Sequence, residues 1–114
     1  MDEISQRLIE TIKNYINDIK KHIKVNKVVL YGSYAKGNYN KDSDIDLAVF
    51  SDSFKDKKFV EITSFLFRFA RKHKEYCIEP IGFTTMELKG DNPFIKDILN
   101  TGKEIYPYKN LRNI

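Results

Sequence analysis

The sequence predicts a single α+β domain of 114 residues built on a small mixed sheet of three or four strands. Three observations predict it. Apolar residues recur at three- and four-residue spacing in three separate stretches, the mark of amphipathic helices. Short β-branched or aromatic runs lie between those stretches, bounded by Gly, Asn or Pro. An apolar share of 41% with 13% aromatics is ordinary for a globular chain of this length, which excludes wholesale disorder.

The elements follow in order. Ile4, Leu8, Ile12, Ile16, Ile19 and Ile23 mark one face of a first helix, with Gln6, Lys13, Asn17 and Lys20 on the other. Lys20, Lys21 and Lys24 fall in its last turns, where cations complement the helix dipole. Val28-Val29-Leu30-Tyr31 reads as a short buried strand. Gly32-Ser33 turns the chain, Tyr34-Ala35-Lys36 opens a short helix, and residues 37–43 are turn chemistry. Asp44 to Phe50 is a second strand with Ile45, Leu47 and Val49 on one face. After a polar connection from Ser51 to Asp56, Phe59, Ile62, Leu66 and Phe69, with Phe65 beside them, predict a long helix ending near His73. His73 reads there as a surface or capping residue. Cys77 to Phe83 is a third strand, and Pro80 marks it as an edge strand or a bulge. Pro93, after the loop Gly90-Asp91-Asn92, suits the first turn of a helix carrying Phe94, Ile95, Ile98 and Leu99. Gly102 stops that helix, and Lys103 to Tyr106 forms a last short strand.

Composition narrows the function classes. The net charge is +4, from 20 Lys and Arg against 16 Asp and Glu, and only four of the cations are Arg. Readers of base edges favour the planar Arg fork, so the balance leans away from sequence-specific nucleic-acid recognition. No apolar run is long enough to span a bilayer. The start, Met1-Asp2-Glu3, lacks a basic region followed by an apolar one, so no secretory signal is visible. Cys77, the sole cysteine, forms no internal disulfide and excludes a multi-cysteine zinc site. Together these predict a cytoplasmic protein.

The chemistry concentrates between residues 30 and 50. Residues two apart on a strand point to one side, with Cα atoms about 6.5–7 Å apart, so Asp44 and Asp46 project together while Ile45 and Leu47 enter the core. Two carboxylates on a rigid strand can grip Mg²⁺ ions about 3.5–4 Å apart, the arrangement that serves in-line phosphoryl transfer. A strand that ends in Gly32-Ser33 and turns into a helix offers backbone N–H groups and a hydroxyl to phosphate. Each piece alone has an ordinary reading: Asp-x-Asp on a solvated strand face, and a strand-exit turn with Ser33 as helix cap. Their conjunction is far more specific. Other motifs fail on the same letters. An EF-hand beginning at Asp42 would need Gly where Leu47 stands and Glu where Ser53 stands. No Gly-Lys-Ser/Thr follows the first strand, and Ser33 lacks a nucleophile elbow.

Gly32-Ser33-Tyr34-Ala35-Lys36-Gly37 followed by Ser43-Asp44-Ile45-Asp46-Leu47 resembles the signature of the DNA polymerase β-like nucleotidyltransferase superfamily. Length and ending, Asn92-Pro93-Phe94-Ile95 through Gly102-Lys103-Glu104-Ile105-Tyr106, look like its minimal, antitoxin-type group. The resemblance implies a nucleotidyltransferase palm with helices mainly on one face of the sheet, spanning residues 1–114. It implies that Gly32 and Ser33 hold the triphosphate, with Lys36 near it in place of the Arg of many relatives. It implies Asp44, Asp46 and a third acid, Glu79, as metal ligands for two Mg²⁺ ions, with Glu79 also helping to deprotonate the acceptor. Many relatives carry Asp at that third position, and Pro80 beside Glu79 can shift the strand. Tyr31 reads as core; Tyr34 and Tyr39 either stack on a base or cover the turn. ATP is the donor implied, and the acceptor is a hydroxyl presented by a partner or by self-association. For minimal members that partner is a small helical HEPN-type toxin, with AMP placed on a tyrosine. The alternative is a non-catalytic antitoxin that neutralises its partner by occlusion. A transferase acting on nucleic acid is disfavoured by the lack of an Arg-rich face.

Overall fold

The computed structural model describes residues 5–108, so Ile4 and the Met1-Asp2-Glu3 start lie outside the described residues. Helix α1 runs Gln6–Lys20, capped by Ser5, whose Oγ accepts the Leu8 N–H at 3.1 Å. Its buried face is the predicted Leu8, Ile12, Ile16 and Ile19, joined by Ile9 and Tyr15. The helix stops at Lys20, short of Ile23, because the Ile19 carbonyl accepts both the His22 and Ile23 amides at 3.0 Å and closes the turn. Lys24 therefore lies beyond the helix and pairs with Asp52 at 3.5 Å.

Four strands follow: β1 Lys27–Tyr31, β2 Ile45–Phe50, β3 Ile78–Phe83 and β4 Lys103–Tyr106. They lie in the order β3-β2-β1-β4. β1 is antiparallel to β2 and β4, while β2 and β3 are parallel, which makes the sheet mixed. The remaining helices are α2 Ser33–Lys36, α3 Phe59–Ala70 and α4 Pro93–Thr101. Pro80 stands on an edge strand, as its missing N–H requires, and the β2–β3 register passes through it without a shift.

The pleat sorts the core into two layers. Val28, Leu30, Ile45, Leu47 and Val49 share a cluster with α1 and α3. Val29, Ala48, Phe50 and Phe83 share the other with Ile95 and Ile98 of α4. The helices are thus mainly on one face, with α4 alone on the other. Central β2 is buried on both sides, each large apolar side chain contributing about 1.5–3 kcal/mol. The Tyr15 hydroxyl donates to the Leu66 carbonyl at 2.9 Å and ties α1 to α3. Gly82 lets α3 lie close on β3, since a Cβ there would collide with Ile62 and Phe54.

Three expectations are corrected, and one element was not foreseen. Phe59 is 64% exposed, because it is the first residue of α3 and its side chain leans N-terminally, away from the turns that meet the sheet. α3 ends at Ala70, and His73 is half-buried beyond it, its Nε2 3.1 Å from Asp18 Oδ2 of α1, so it is a tertiary tie rather than a surface or capping residue. Asp44 and Cys77 each precede their strand by one residue. A 3₁₀ turn at Thr85–Lys89 was not foreseen in the sequence, although Thr84 and Glu87 form a capping box there, with Glu87 Oε1 accepting the Thr84 N–H at 2.8 Å.

Candidate active site

The site begins where β1 ends. Gly32 follows Tyr31 with φ +75° and ψ −148°, a conformation essentially confined to glycine. Gly32, not Ser33, is the cap of α2; Ser33 is its first residue and is half-exposed. The short helix closes with Ala35 and Lys36 N–H on the Gly32 carbonyl at 3.1 and 3.0 Å. The amides before them have no carbonyl a turn earlier to accept them. A Cβ on Gly32 would collide with Asp46 Oδ2, so this turn rests directly on the Asp46 carboxylate.

Register supplies the rest. Tyr31 stands opposite Asp46 across β1 and β2, and Asp46 opposite Glu79 across β2 and β3. Residues directly opposite share a face, so Tyr31, Asp46 and Glu79 form a row across three strands. Asp44 lies two residues before Asp46, and Cys77 two before Glu79, each joining that row. The ligand atoms of Asp44, Cys77 and Glu79 all fall within 4.8 Å of one another, and all three residues are exposed. The row lies on the α4 face, where Phe94 meets the Tyr31 ring edge-on at 5.9 Å.

The electrostatics are those of crowded acids. Asp46 titrates above the usual carboxylate range, chiefly through burial, then through the charges of Glu79 and Asp44. Burial, reinforced by Asp46 and Glu79, pushes the Tyr31 phenol up to about 12. Hydrogen bonding to Asp44, burial and the three nearby carboxylates push the Cys77 thiol up. Among the described residues no Lys or Arg pairs with Asp44, Asp46 or Glu79. Oxygen donors from separate elements, open to solvent and lacking a counter-charge, fit a divalent cation.

The structure brings Gly32, Asp44, Asp46 and Glu79 together as the sequence implies. Lys36 is exposed at the end of α2 and forms no ion pair among the described residues. Tyr34 is buried and stacks on Tyr39 with centroids 4.5 Å apart, so this pair covers the turn. Tyr31, read as core, is half-buried beside the acids. Cys77 was missed. The spacing rule that couples Asp44 to Asp46 also couples Cys77 to Glu79, and could have found it.

Comparison with known proteins identifies the family and matches the fold. The family model described as "Polymerase beta, Nucleotidyltransferase" matches residues 10–110. A candidate protein adenylyltransferase of Methanocaldococcus jannaschii is 32% identical over 105 residues, covering 86% of this chain and 98% of that protein. A second from the same organism is 38% identical over 45 residues, 38% of this chain and 45% of that protein. Among solved structures, a candidate nucleotidyltransferase from Sulfolobus solfataricus superposes with a TM-score of 0.65 at 20% identity, over 86% of this chain and 78% of that one. A toxin–antitoxin crystallised with AMP-PNP superposes with a TM-score of 0.58 at 20% identity, over 84% and 70%. A glycine turn resting on one carboxylate of an in-register acidic row, within a match spanning residues 10–110, places the chain in the polymerase β-type nucleotidyltransferase family.

Proposed function

We propose that the chain is a metal-dependent protein adenylyltransferase that moves AMP from ATP onto a hydroxyl, a tyrosine of a HEPN-type helical toxin, and so acts as its antitoxin. One observation carries this reading: Asp44, Asp46 and Glu79 converge beside the Gly32-Ser33 turn. The Methanocaldococcus jannaschii relative, nearly all of whose length this chain covers, supports the protein acceptor. The toxin–antitoxin with AMP-PNP supports the donor and the partner. The family match fills residues 10–110, and we take residues 1–114 as one minimal transferase domain whose acceptor comes from another chain. No helix of the described residues is long and apolar enough to cross a membrane.

Each residue has a task in this reading. The Gly32 backbone and the Ser33 hydroxyl hold the β- and γ-phosphates, and Lys36 swings in as a point charge. Asp44, Asp46 and Glu79 would hold the two Mg²⁺ ions, which would supply charge stabilisation to the transfer. Glu79 accepts the proton of the incoming hydroxyl. A bond forms between that oxygen and the α-phosphorus, the α–β bridging bond breaks, and pyrophosphate leaves. Positioning and electrostatics do this work; no covalent enzyme intermediate is needed.

The test incubates the protein with Mg²⁺, α-labelled ATP and the HEPN-type product of the adjacent reading frame. Label on a partner tyrosine, lost in Asp44→Asn/Asp46→Asn, is expected. Neutralisation of the partner that survives this double change without label transfer overturns the catalytic reading in favour of occlusion. Saturating Mg·ATP should also raise the melting temperature, since a ligand of the native state stabilises it.

A further inference from the structure

The end of α3 carries a run of cations that the transfer just described leaves without a task. Residues 62–74 hold Arg68, Arg71, Lys72 and Lys74 and no Asp or Glu. All four are exposed. Lys72 lies over the Phe69 ring at 4.8 Å, whereas Arg68, Arg71 and Lys74 form no ion pair among the described residues. The nearby acids are engaged elsewhere: Glu75 faces Arg7 at 4.0 Å, and Asp18 meets His73 at 3.1 Å. The helix dipole accounts for cations in the last turn of α3, but Lys72 and Lys74 lie beyond its end at Ala70.

This stretch leads straight into the site. Lys74 lies three residues before Cys77, so their Cα atoms are at most about 11 Å apart. The Cys77 carbonyl accepts the Ile45 N–H at 2.8 Å, at the end of the sheet where Asp44 stands. α3 covers the face opposite the acidic row, so cations and acids border one another around that end without pairing.

Resting on the protein-acceptor reading above, we propose that Arg68, Arg71, Lys72 and Lys74 form a docking surface for an acidic patch on the protein that presents the acceptor hydroxyl. Charge complementarity names the occupant. Arg forks take carboxylates through two parallel hydrogen bonds, and lysines add point charge. Such a surface draws a partner in by its carboxylates and delivers it beside the acidic row, which would itself repel them. Strand addition is not the mode of docking, because Pro80 interrupts the open edge of β3 with a missing N–H. Nucleic acid fits less well, since no aromatic ring is exposed among these cations for base stacking; Phe67 is half-buried and Phe69 buried.

The test is the association rate of the full chain with the protein encoded by the adjacent reading frame, followed without ATP. Arg68→Gln/Arg71→Gln/Lys74→Gln should slow association roughly tenfold or more and flatten its dependence on salt. Lys21→Gln/Lys55→Gln/Lys89→Gln, which removes equal charge elsewhere, should leave the rate near that of wild type. Far-ultraviolet circular dichroism establishes that both variants fold. Poly-L-glutamate should slow the association of wild type. An unchanged rate in the first variant, an equal loss in the second, or a wild type that does not bind overturns the inference. So does a thermal shift with Mg·ATP that wild type shows and the first variant loses, which would assign the cations to the donor. Stronger competition by polyuridylate than by poly-L-glutamate also overturns it, in favour of nucleic acid. The transferase reading is judged separately, by label transfer from ATP in wild-type protein with Mg²⁺. Salt-dependent association without label refutes that reading and leaves the docking surface standing.

Discussion

At the scale of single residues, the site depends on one backbone conformation and one carboxylate beneath it. Gly32→Ala adds a Cβ at φ +75° and drives it into Asp46 Oδ2. The backbone strain alone costs about 1–3 kcal/mol. Denaturant unfolding should read that loss, and Mg·ATP should no longer raise the melting temperature of the variant. Asp46 carries a second prediction. Its pKa is raised in the folded chain, so the native state holds the proton to higher pH than the unfolded state does. That contribution to stability is full below the ordinary Asp range and is lost as pH rises through the native value. At neutral pH the ionised side chain therefore weakens the fold. Asp46→Asn should melt higher than wild type at neutral pH and no higher in acid, while label transfer falls about a hundredfold or more. A neutral-pH melting temperature at or below that of wild type would remove the electrostatic account. Gly32, Asp44 and Asp46 were legible in the sequence because one short segment carries them. Their fit was not, because the contact between Gly32 and Asp46 is made by two strands meeting.

At the scale of elements, legibility follows the locality of the signal. α4 announces both its ends. Asn92 Oδ1 accepts the Phe94 N–H at 2.9 Å, Pro93 takes the first helical position, and Gly102 closes the helix with its N–H on the Ile98 carbonyl at 2.8 Å. Asn92→Ala should cost about 1 kcal/mol in denaturant unfolding. It should leave metal binding intact, because the cap touches none of the acidic row. α3 was less legible at its ends. Lys58 caps it through a backbone N–H to Glu61 Oε1 at 3.1 Å, a cap without the usual Ser, Thr, Asp or Asn. Its apolar period continues through Phe59 although no sheet lies beneath that residue. Periodicity reports what a helix can bury, not where its neighbours stop.

At the scale of the whole molecule, the site is a property of register. Composition and local pattern foretold three or four strands and their order along the chain. They did not foretell that β3 runs parallel to β2, nor that Glu79 lands opposite Asp46, since pairing is decided by packing far apart in sequence. A slip of one residue would turn Glu79 to the other face and dissolve the site while keeping every element. The parallel pair also has a history within each molecule. β1 and β2 meet as antiparallel neighbours through a short connection, but β3 reaches β2 only after the chain has run through α3. Closing that longer crossover costs more entropy before any contact repays it. Gly32, Asp44 and Asp46 are therefore expected to come together first, and Glu79 and Cys77 last. In pulsed hydrogen exchange during refolding, amides of β1 and β2 should gain protection before those of Ile78–Phe83, and capacity to bind metal should appear only with the latter. Protection of all three strands in one phase would refute this order. On this order a nascent chain would pass through a stage at which the Gly32 turn is already seated on Asp46 while the acidic row still lacks Glu79, and the row would be completed only by the final docking of its edge strand.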